Sequence, residues 1–367
     1  MTARATPEGT ARFAERFAGR AAPGHFRQRL GLTLSSIGVG TYLGEPDSKT
    51  DQSYVEAVVA AVRSGVNVID CAINYRFQRS ERAVGAALGR LAAEGFRRDE
   101  LLVCTKAGYL TPDGELPSDP HEYFRREYLD PGILRMEDVA AGIHCVAPRY
   151  LEDQLSRSLT NLGLECVDVF YLHNPETQLS HVSRDEFDRR LLAAFRFLES
   201  SVAAGRILYY GLATWNAFRQ APSSPEHIAL ADVTSLAQEA GGARHHFRFV
   251  QLPFNLAMTE ALVQPNQPVD GAFLTMVQAA ERLAITLVAS ASLLQGRVAR
   301  NLPAPVREVL GLDNDVHRAL QFVRSTPGIT TAVVGMSRVE HAEYNLRLAA
   351  VEPTPESVLR LFEHFAS

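Results

Sequence analysis

The stretch 150-YLEDQLSRSLTNLGLECVDVFYLH-173 holds two patterns end to end. Leu151, Leu155, Leu159 and Leu162 recur at spacings of three and four, which places them on one helix face. Gly163 then stops that helix. The run that follows, CVDVFYLH at 166–173, is short and apolar and reads as a buried strand. A helix leading into such a strand is one unit of an α/β fold. Working outward, seven more runs read as strands: SSIGVGT at 35–41, VNVIDCA at 66–72, LLVCTKA at 101–107, ILYYGLA at 207–213, FRFVQLPF at 247–254, ITLVASA at 285–291 and ITTAVVGM at 329–336. Helical patterns fall between them, including 185–204 and 271–284. Eight strands with helical crossovers predict an α/β chain folded as a (β/α)8 TIM barrel. No Pro/Gly/Ser-rich linker divides the chain, so the barrel is expected to span 26–367 as one domain after an N-terminal arm, 1–25. The long connection from Tyr109 to Pro148 follows the third strand. Its place predicts a 109–148 loop insertion over the catalytic face.

Composition narrows the function classes. The 367 residues are 46% hydrophobic, enough for a sizeable core, and carry a net charge of −5. That balance argues against nucleic acid, whose binding leaves a basic footprint. The four cysteines, Cys71, Cys104, Cys145 and Cys166, form no CxxC pair, which predicts a reduced, cytoplasmic protein with no metal site. The first residues lack an apolar signal core, and no apolar run reaches ~18 residues, so neither secretion nor a membrane span is expected.

Of 37 basic side chains only Lys49 and Lys106 are lysine. Lys49 sits in the polar loop EPDSKTDQ and reads as surface charge. Lys106 ends the apolar run LLVCTK, an odd place for a solvated charge. Burial tunes lysine in a way that arginine resists. In a barrel the strand C-termini converge on one face. Asp70, Lys106 and His173 all stand at such ends, on the second, third and fourth predicted strands, and Tyr75 follows Asp70 by five residues. Each alone has a bland reading: a cap, a snorkelling lysine, a core histidine, a loop aromatic. Together they suit proton donation to an alkoxide. An ammonium lowers the pKa of a nearby phenol, a carboxylate holds the ammonium in place, and an imidazole orients a carbonyl oxygen or shares the proton.

The segment 38-GVGTYLG-44 has the look of a dinucleotide fingerprint but reads GxGxxxG and does not open a helix at once, so it is set aside.

With these residues in place the chain resembles the aldo-keto reductase family. The resemblance rests on FRQRLGLTLSSIGVGT, GVNVIDCAINYRFQRSERAVGAALG, LLVCTK, LEDQLSRSLTNLGLECVDVFYLHNP, GRILYYGLATW and VVGMSRVEHAEYNL, in family order across roughly 26–350. It implies reduction of an aldehyde or ketone, a small-molecule carbonyl substrate, by hydride from NADP(H). Tyr75 would be the proton donor, Lys106 its tuner, Asp70 the partner of Lys106, and His173 the carbonyl orienter. It further implies cofactor contacts at Gly40, Thr41, Tyr42 and Asp70 on the first two strands. Thr214, Gln251 and Ser290 would lie by the nicotinamide, and Leu293 and Gly296 would lie over the pyrophosphate. Gly335, Ser337, Arg338, His341 and Asn345 would hold the adenosine end, with Arg338 on a 2′-phosphate. Two positions depart from the family pattern. Ala213 and Thr214 replace a Ser-Asn pair, and Ser290 replaces an aromatic that stacks on nicotinamide; Tyr42, Phe254 and Trp215 are candidates to compensate. These losses leave open an alternative, an NADP(H)-binding sensor or partner subunit with little turnover.

Overall fold

The computed structural model of the chain describes residues 4–366, with side chains through Phe362. A hairpin of β1 (Phe26–Arg29) and β2 (Leu32–Ser35) leads into β3 (Ile37–Gly40). The strands β4 (Val68–Asp70), β5 (Leu102–Ala107), β6 (Val167–His173), β7 (Ile207–Ala213) and β8 (Phe247–Pro253) follow. A second hairpin, β9 (Pro265–Val269) and β10 (Ala272–Thr275), precedes β11 (Thr286–Ser290) and β12 (Ile329–Gly335). The strands β3 to β8, β11 and β12 close into a barrel whose neighbouring pairs are all parallel. This is the (β/α)8 barrel that the sequence predicts, with each of the eight strands on its predicted run.

Side-chain alternation explains the core. Val68, Leu102, Cys104, Val169, Phe249, Val288 and Val333 fill the barrel interior. Val39, Ile69, Val103, Phe170, Leu172 and Leu252 belong instead to the larger cluster shared with the helices. A parallel sheet buried on both faces is expected to carry such continuous apolar runs. At the C-terminal ends of the strands the interior turns small or polar. The register sets Gly40 beside Asp70, Gly335 beside Gly40, His173 beside Ala213, and Ala213 beside Gln251. Gly211 is required by close approach, since a Cβ there would fall 2.1 Å from the Phe249 carbonyl oxygen.

The N-terminal end of the barrel is closed from below. Residues 1–3 of the predicted arm lie outside the described residues. Thr6 caps a helix, Pro7–Glu15, by accepting from the Gly9 N–H, and Pro7 begins it. Phe13 and Phe17 pack on Phe26 of β1, and Ala5 joins the interior cluster. The Ala5 N–H donates to Asp168, which also accepts from Arg98 and from the Val103 N–H.

One predicted helix is corrected. The 271–284 run begins as β10 and becomes helix only over Met276–Arg282. Its apolar spacing fits a helix throughout, but Asp270 and Gly271 both take positive φ and turn the chain into a hairpin. Thr275 then caps the helix reciprocally with Gln278.

The 109–148 connection packs Tyr128, Leu134 and Cys145 in a small apolar cluster with Tyr150 of the helix that follows, Pro148–Leu162. Its two ends meet at the mouth-side end of β5, where the Cys145 N–H donates to the Gly108 carbonyl (2.8 Å).

Candidate active site

The buried end of β4 delivers Asp70 because inward and outward positions alternate, and the same alternation turns Lys106 of β5 inward. Lys106 is 0% exposed. Its Nζ donates to Asp70 Oδ2 at 2.6 Å and to the Cys71 carbonyl at 2.9 Å. The other Asp70 oxygen accepts from Gln251 Nε2 at 2.8 Å. A carboxylate so engaged on both oxygens meets the condition for a buried ion pair to hold, which is that the remaining lone pairs be satisfied. Burial disfavours the Lys106 charge, but Asp70 and then Tyr75 outweigh it and hold the pKa above the ordinary lysine value. Lys49, by contrast, is exposed at the start of the helix Ser48–Arg63.

Tyr75 stands in the turn after β4, half-buried, with Lys106 Nζ 5.0 Å from its ring centroid. The ring of His173 meets it edge-on at 5.8 Å, and that of Tyr42 at 4.9 Å. The four predicted residues are thus brought together. One expectation about them changes. Burial pushes the Tyr75 phenol up to about 12, although Lys106 pulls it the other way. The ammonium therefore offsets part of the desolvation rather than carrying the phenol below its ordinary value. His173 is pushed well below the ordinary histidine range, first by burial and then by Lys106, so its ring is neutral.

The chain after Tyr75 is unusual. Arg76, Phe77 and Gln78 all have positive φ, between 49° and 71°, without a glycine among them. Such residues cost about 1–3 kcal/mol each and persist only where their surroundings enforce them. Arg76 is pinned by an ion pair to Asp51 and lies 4.8 Å over the Tyr54 ring. Gln78 is tied by Asn161, whose amide donates to its side-chain oxygen.

His173 has a support that its own sequence neighbourhood does not announce. His144, from the end of the insertion, donates from Nε2 to the His173 carbonyl (2.7 Å). Its Nδ1 accepts from Gln178 (2.8 Å), and Gln178 in turn accepts from Arg190 (2.7 Å). Tyr109 sets its ring edge-on to both histidines. Gly108 lets them approach, since a Cβ there would lie 2.7 Å from both His144 Nε2 and the His173 carbonyl oxygen. Asn74 meets His173 Nδ1 at 3.2 Å. The insertion carries no periodic signal around His144, so only the tertiary fold reveals its partner.

The residues assigned to a cofactor lie along the same mouth. Gly40 and Thr41 are buried, and the Thr41 hydroxyl is committed to the Asp70 carbonyl and to Ser80. Tyr42 is 57% exposed. Thr214 is buried with its hydroxyl unpartnered, an orphaned polar atom beside Gln251 that suits an amide-bearing ligand. Glu176 accepts from the Trp215 and Asn216 N–H groups and fixes the chain just after β7. Ser290 ends β11 half-buried, and Leu293 and Gly296 follow in a short turn. Gly335 ends β12 with open space where a Cβ would stand. Ser337 is half-buried, Arg338 and His341 are exposed, and Asn345 is buried at the end of the helix Val339–Asn345. Of the aromatics named for the Ser290 position, Phe254 is excluded, because it stacks on Phe322 in the outer core. Among the described residues no group of three or more His, Cys, Asp or Glu is placed to hold a metal ion, and no helix is long and apolar enough to cross a membrane.

A barrel with this set at its mouth invites comparison with known proteins. The sequence profile of the Aldo/keto reductase family matches residues 36–231, more than half of the chain. The chain belongs to the aldo/keto reductase family. Among relatives of this aldo/keto reductase, the NADH-specific methylglyoxal reductase of Escherichia coli is 31% identical over 148 residues, 39% of each chain. An uncharacterized oxidoreductase of Bacillus subtilis, YqkF, is 24% identical over 91% of this chain and 93% of its own. In fold, the chain is similar to an aldo/keto reductase from Klebsiella pneumoniae solved with NADP and acetate. The TM-score is 0.60 at 17% identity, over 91% of this chain and 93% of that one.

Proposed function

We propose that the chain is an NADPH-dependent reductase of aldehydes or ketones, reversible in principle. The observation that carries this reading is the Lys106–Asp70 pair, 2.6 Å long, buried beneath a tyrosine at the barrel mouth. A buried ammonium has no structural need to lie there, and its use is to stabilise negative charge on the phenol as a proton leaves. Bound NADPH supplies the hydride. The chain's part is to hold the carbonyl oxygen by the Tyr75 hydroxyl and to pass that proton to the oxygen as it becomes an alkoxide. Lys106 then stabilises the phenolate, and Asp70 keeps Lys106 charged and in place. With its pKa near 12, Tyr75 stays protonated at neutral pH, so the donor form is always present.

The cofactor would lie from Thr214, Gln251 and Ser290, past Leu293 and Gly296, to Gly335, Ser337, Arg338, His341 and Asn345. Gly40, Thr41, Tyr42 and Asp70 would line its reactive end. The open space at Gly335 and the free Thr214 hydroxyl fit this path. The exposed Arg338 makes no side-chain cap to its own helix and is available to a 2′-phosphate. The Escherichia coli relative is named for NADH and the Klebsiella pneumoniae structure holds NADP, so the choice between the two cofactors is to be tested at this arginine.

NADPH oxidation should be followed with a panel of aldoses, aromatic aldehydes and ketones, NADH serving as control. Tyr75→Phe is expected to lower kcat by roughly 10²–10⁴, the worth of a positioned general acid. Equal turnover by both proteins would remove Tyr75 from the role. Arg338→Ala is expected to weaken NADPH binding by ~1.5–3 kcal/mol, a lost charged hydrogen bond, and to leave NADH binding unchanged. Equal loss for the two cofactors, measured by calorimetry, would contradict the 2′-phosphate contact.

A further inference from the structure

Asp70, Lys106 and His173 stand on β4, β5 and β6, where ladder hydrogen bonds hold them, but Tyr75 stands on a turn. The height of its phenol over Lys106 is therefore set by that turn. The residues that follow Tyr75 are the strained ones. Arg76, Phe77 and Gln78 are left-handed in succession, with φ of 49°, 55° and 71°. Three such residues in a row persist only under outside restraint. From the side of the insertion the restraint is backbone, with the Gly114 N–H on the Phe77 carbonyl (2.8 Å). From the other side it is one carboxylate. Asp51, in the first turn of the helix Ser48–Arg63, accepts from Arg76 on Oδ1 and from Arg79 on Oδ2, the latter at 2.6 Å. It spans the left-handed run from one end to the other.

An ion pair between exposed groups fixes little. This pair differs because the Arg76 side chain is only 2% exposed. Its Nε and Nη2 find no hydrogen-bond partner among the described residues. Its charge is answered by Asp51 and by the face of the Tyr54 ring, 4.8 Å away. Tyr54 lies three residues after Asp51, on the same face of the helix. Its hydroxyl donates to the Leu43 carbonyl (2.7 Å), one residue past Tyr42, whose ring meets Tyr75 edge-on. One helical turn thus reaches the phenol along two routes. From this geometry we propose that Asp51 is a positioning residue for Tyr75. By tying Arg76 to Arg79 it holds the left-handed turn closed, and the closed turn keeps the phenol over Lys106. The inference rests on the reductase reading of this site and names what holds its proton donor.

The test combines kinetics with a spectrum that needs no turnover. Asp51→Asn is expected to lower kcat for carbonyl reduction roughly tenfold, the size of one hydrogen bond to a charged group. The KM for NADPH should not change, and Asp51→Glu should recover part of the loss. In a Tyr75→Phe background Asp51→Asn should cost nothing more, because residues that act through one another are not additive. A second tenfold loss there would assign Asp51 a general structural role and overturn the proposal. For the spectrum, 3-fluorotyrosine is incorporated in place of Tyr75 alone. Its fluorine resonance is expected to shift and broaden in Asp51→Asn and to return toward the wild-type line in Asp51→Glu. An unchanged resonance together with an unchanged kcat in Asp51→Asn also overturns the proposal. Should the wild type reduce no carbonyl at all, the reductase reading fails, and the fluorine spectrum still decides whether Asp51 fixes the turn.

Discussion

At the scale of single residues the site depends on a charge that is stable only in company. Lys106→Met would leave Asp70 buried with Gln251 and no cation. Breaking a buried pair in this way typically costs about 3–5 kcal/mol. Urea unfolding of Lys106→Met should show a loss of that order, and Asp70→Asn combined with Lys106→Met should recover part of it. A double variant as unstable as the single would mean that the lysine contributes through packing alone. Asp70, Tyr75, Lys106 and His173 were legible because strand ends in a barrel converge, so residues far apart in the chain are neighbours by topology. Lys106 also stood out against an arginine-rich background. Asn74 and His144 were not legible. Asparagine in a turn and histidine in a loop are common, and only the fold shows that both reach His173. The direction of the Tyr75 shift was also out of reach, since it depends on how much solvent the turn excludes.

At the scale of elements, two glycines hold neighbouring chains closer than any other residue permits. Gly211→Ala would press a methyl into the Phe249 carbonyl of β8 and is expected to disrupt the β7–β8 pairing. Gly108→Ala would part His144 from His173. Overpacking of this kind typically costs about 1–3 kcal/mol. The two should differ in what they spoil. Gly211→Ala is expected to lower the melting temperature, while Gly108→Ala should lower kcat more than it lowers stability. Equal behaviour would show that the insertion does not position His173. The eight barrel strands were readable because continuous apolar runs alternate with helical stripes. The hairpins were not. Arg27, Gln28 and Arg29 of β1 give no apolar signal, and β10 continues the helical spacing of the segment after it. The reciprocal pair Thr275 and Gln278 marks where the helix starts.

At the scale of the whole molecule, buried ionisable groups answer to pH in opposite directions. His25 lies buried under the floor, bonded to the Gly65 carbonyl and to Ser36. Burial holds its pKa at about 4, against an ordinary 6.5. In the unfolded chain it would bind a proton from near pH 6.5 downward, and in the folded chain only near pH 4. Its contribution to stability is therefore complete above pH 6.5 and is lost as the pH falls toward 4. The shift is worth on the order of 3 kcal/mol. Urea midpoints between pH 7 and 4.5 should fall less steeply for His25→Asn than for the wild type, and parallel curves would exclude His25 as a source of acid lability. Glu81 and Glu176 are raised by burial and act in the opposite sense, so the difference between the two proteins is the quantity to read. Composition foretold none of this, because it counts ionisable groups without their depth.

Trp215 is the only tryptophan in the chain. It is 44% exposed, one residue past Thr214, and its backbone is clamped by Glu176. The protein therefore carries a single indole, at the rim of its proposed cofactor path, and excitation at the red edge of its absorption selects it over the tyrosines. Titration with NADPH should quench that emission and excite the nicotinamide in return. Binding, exchange and the choice between NADPH and NADH then become optical measurements on the unlabelled protein.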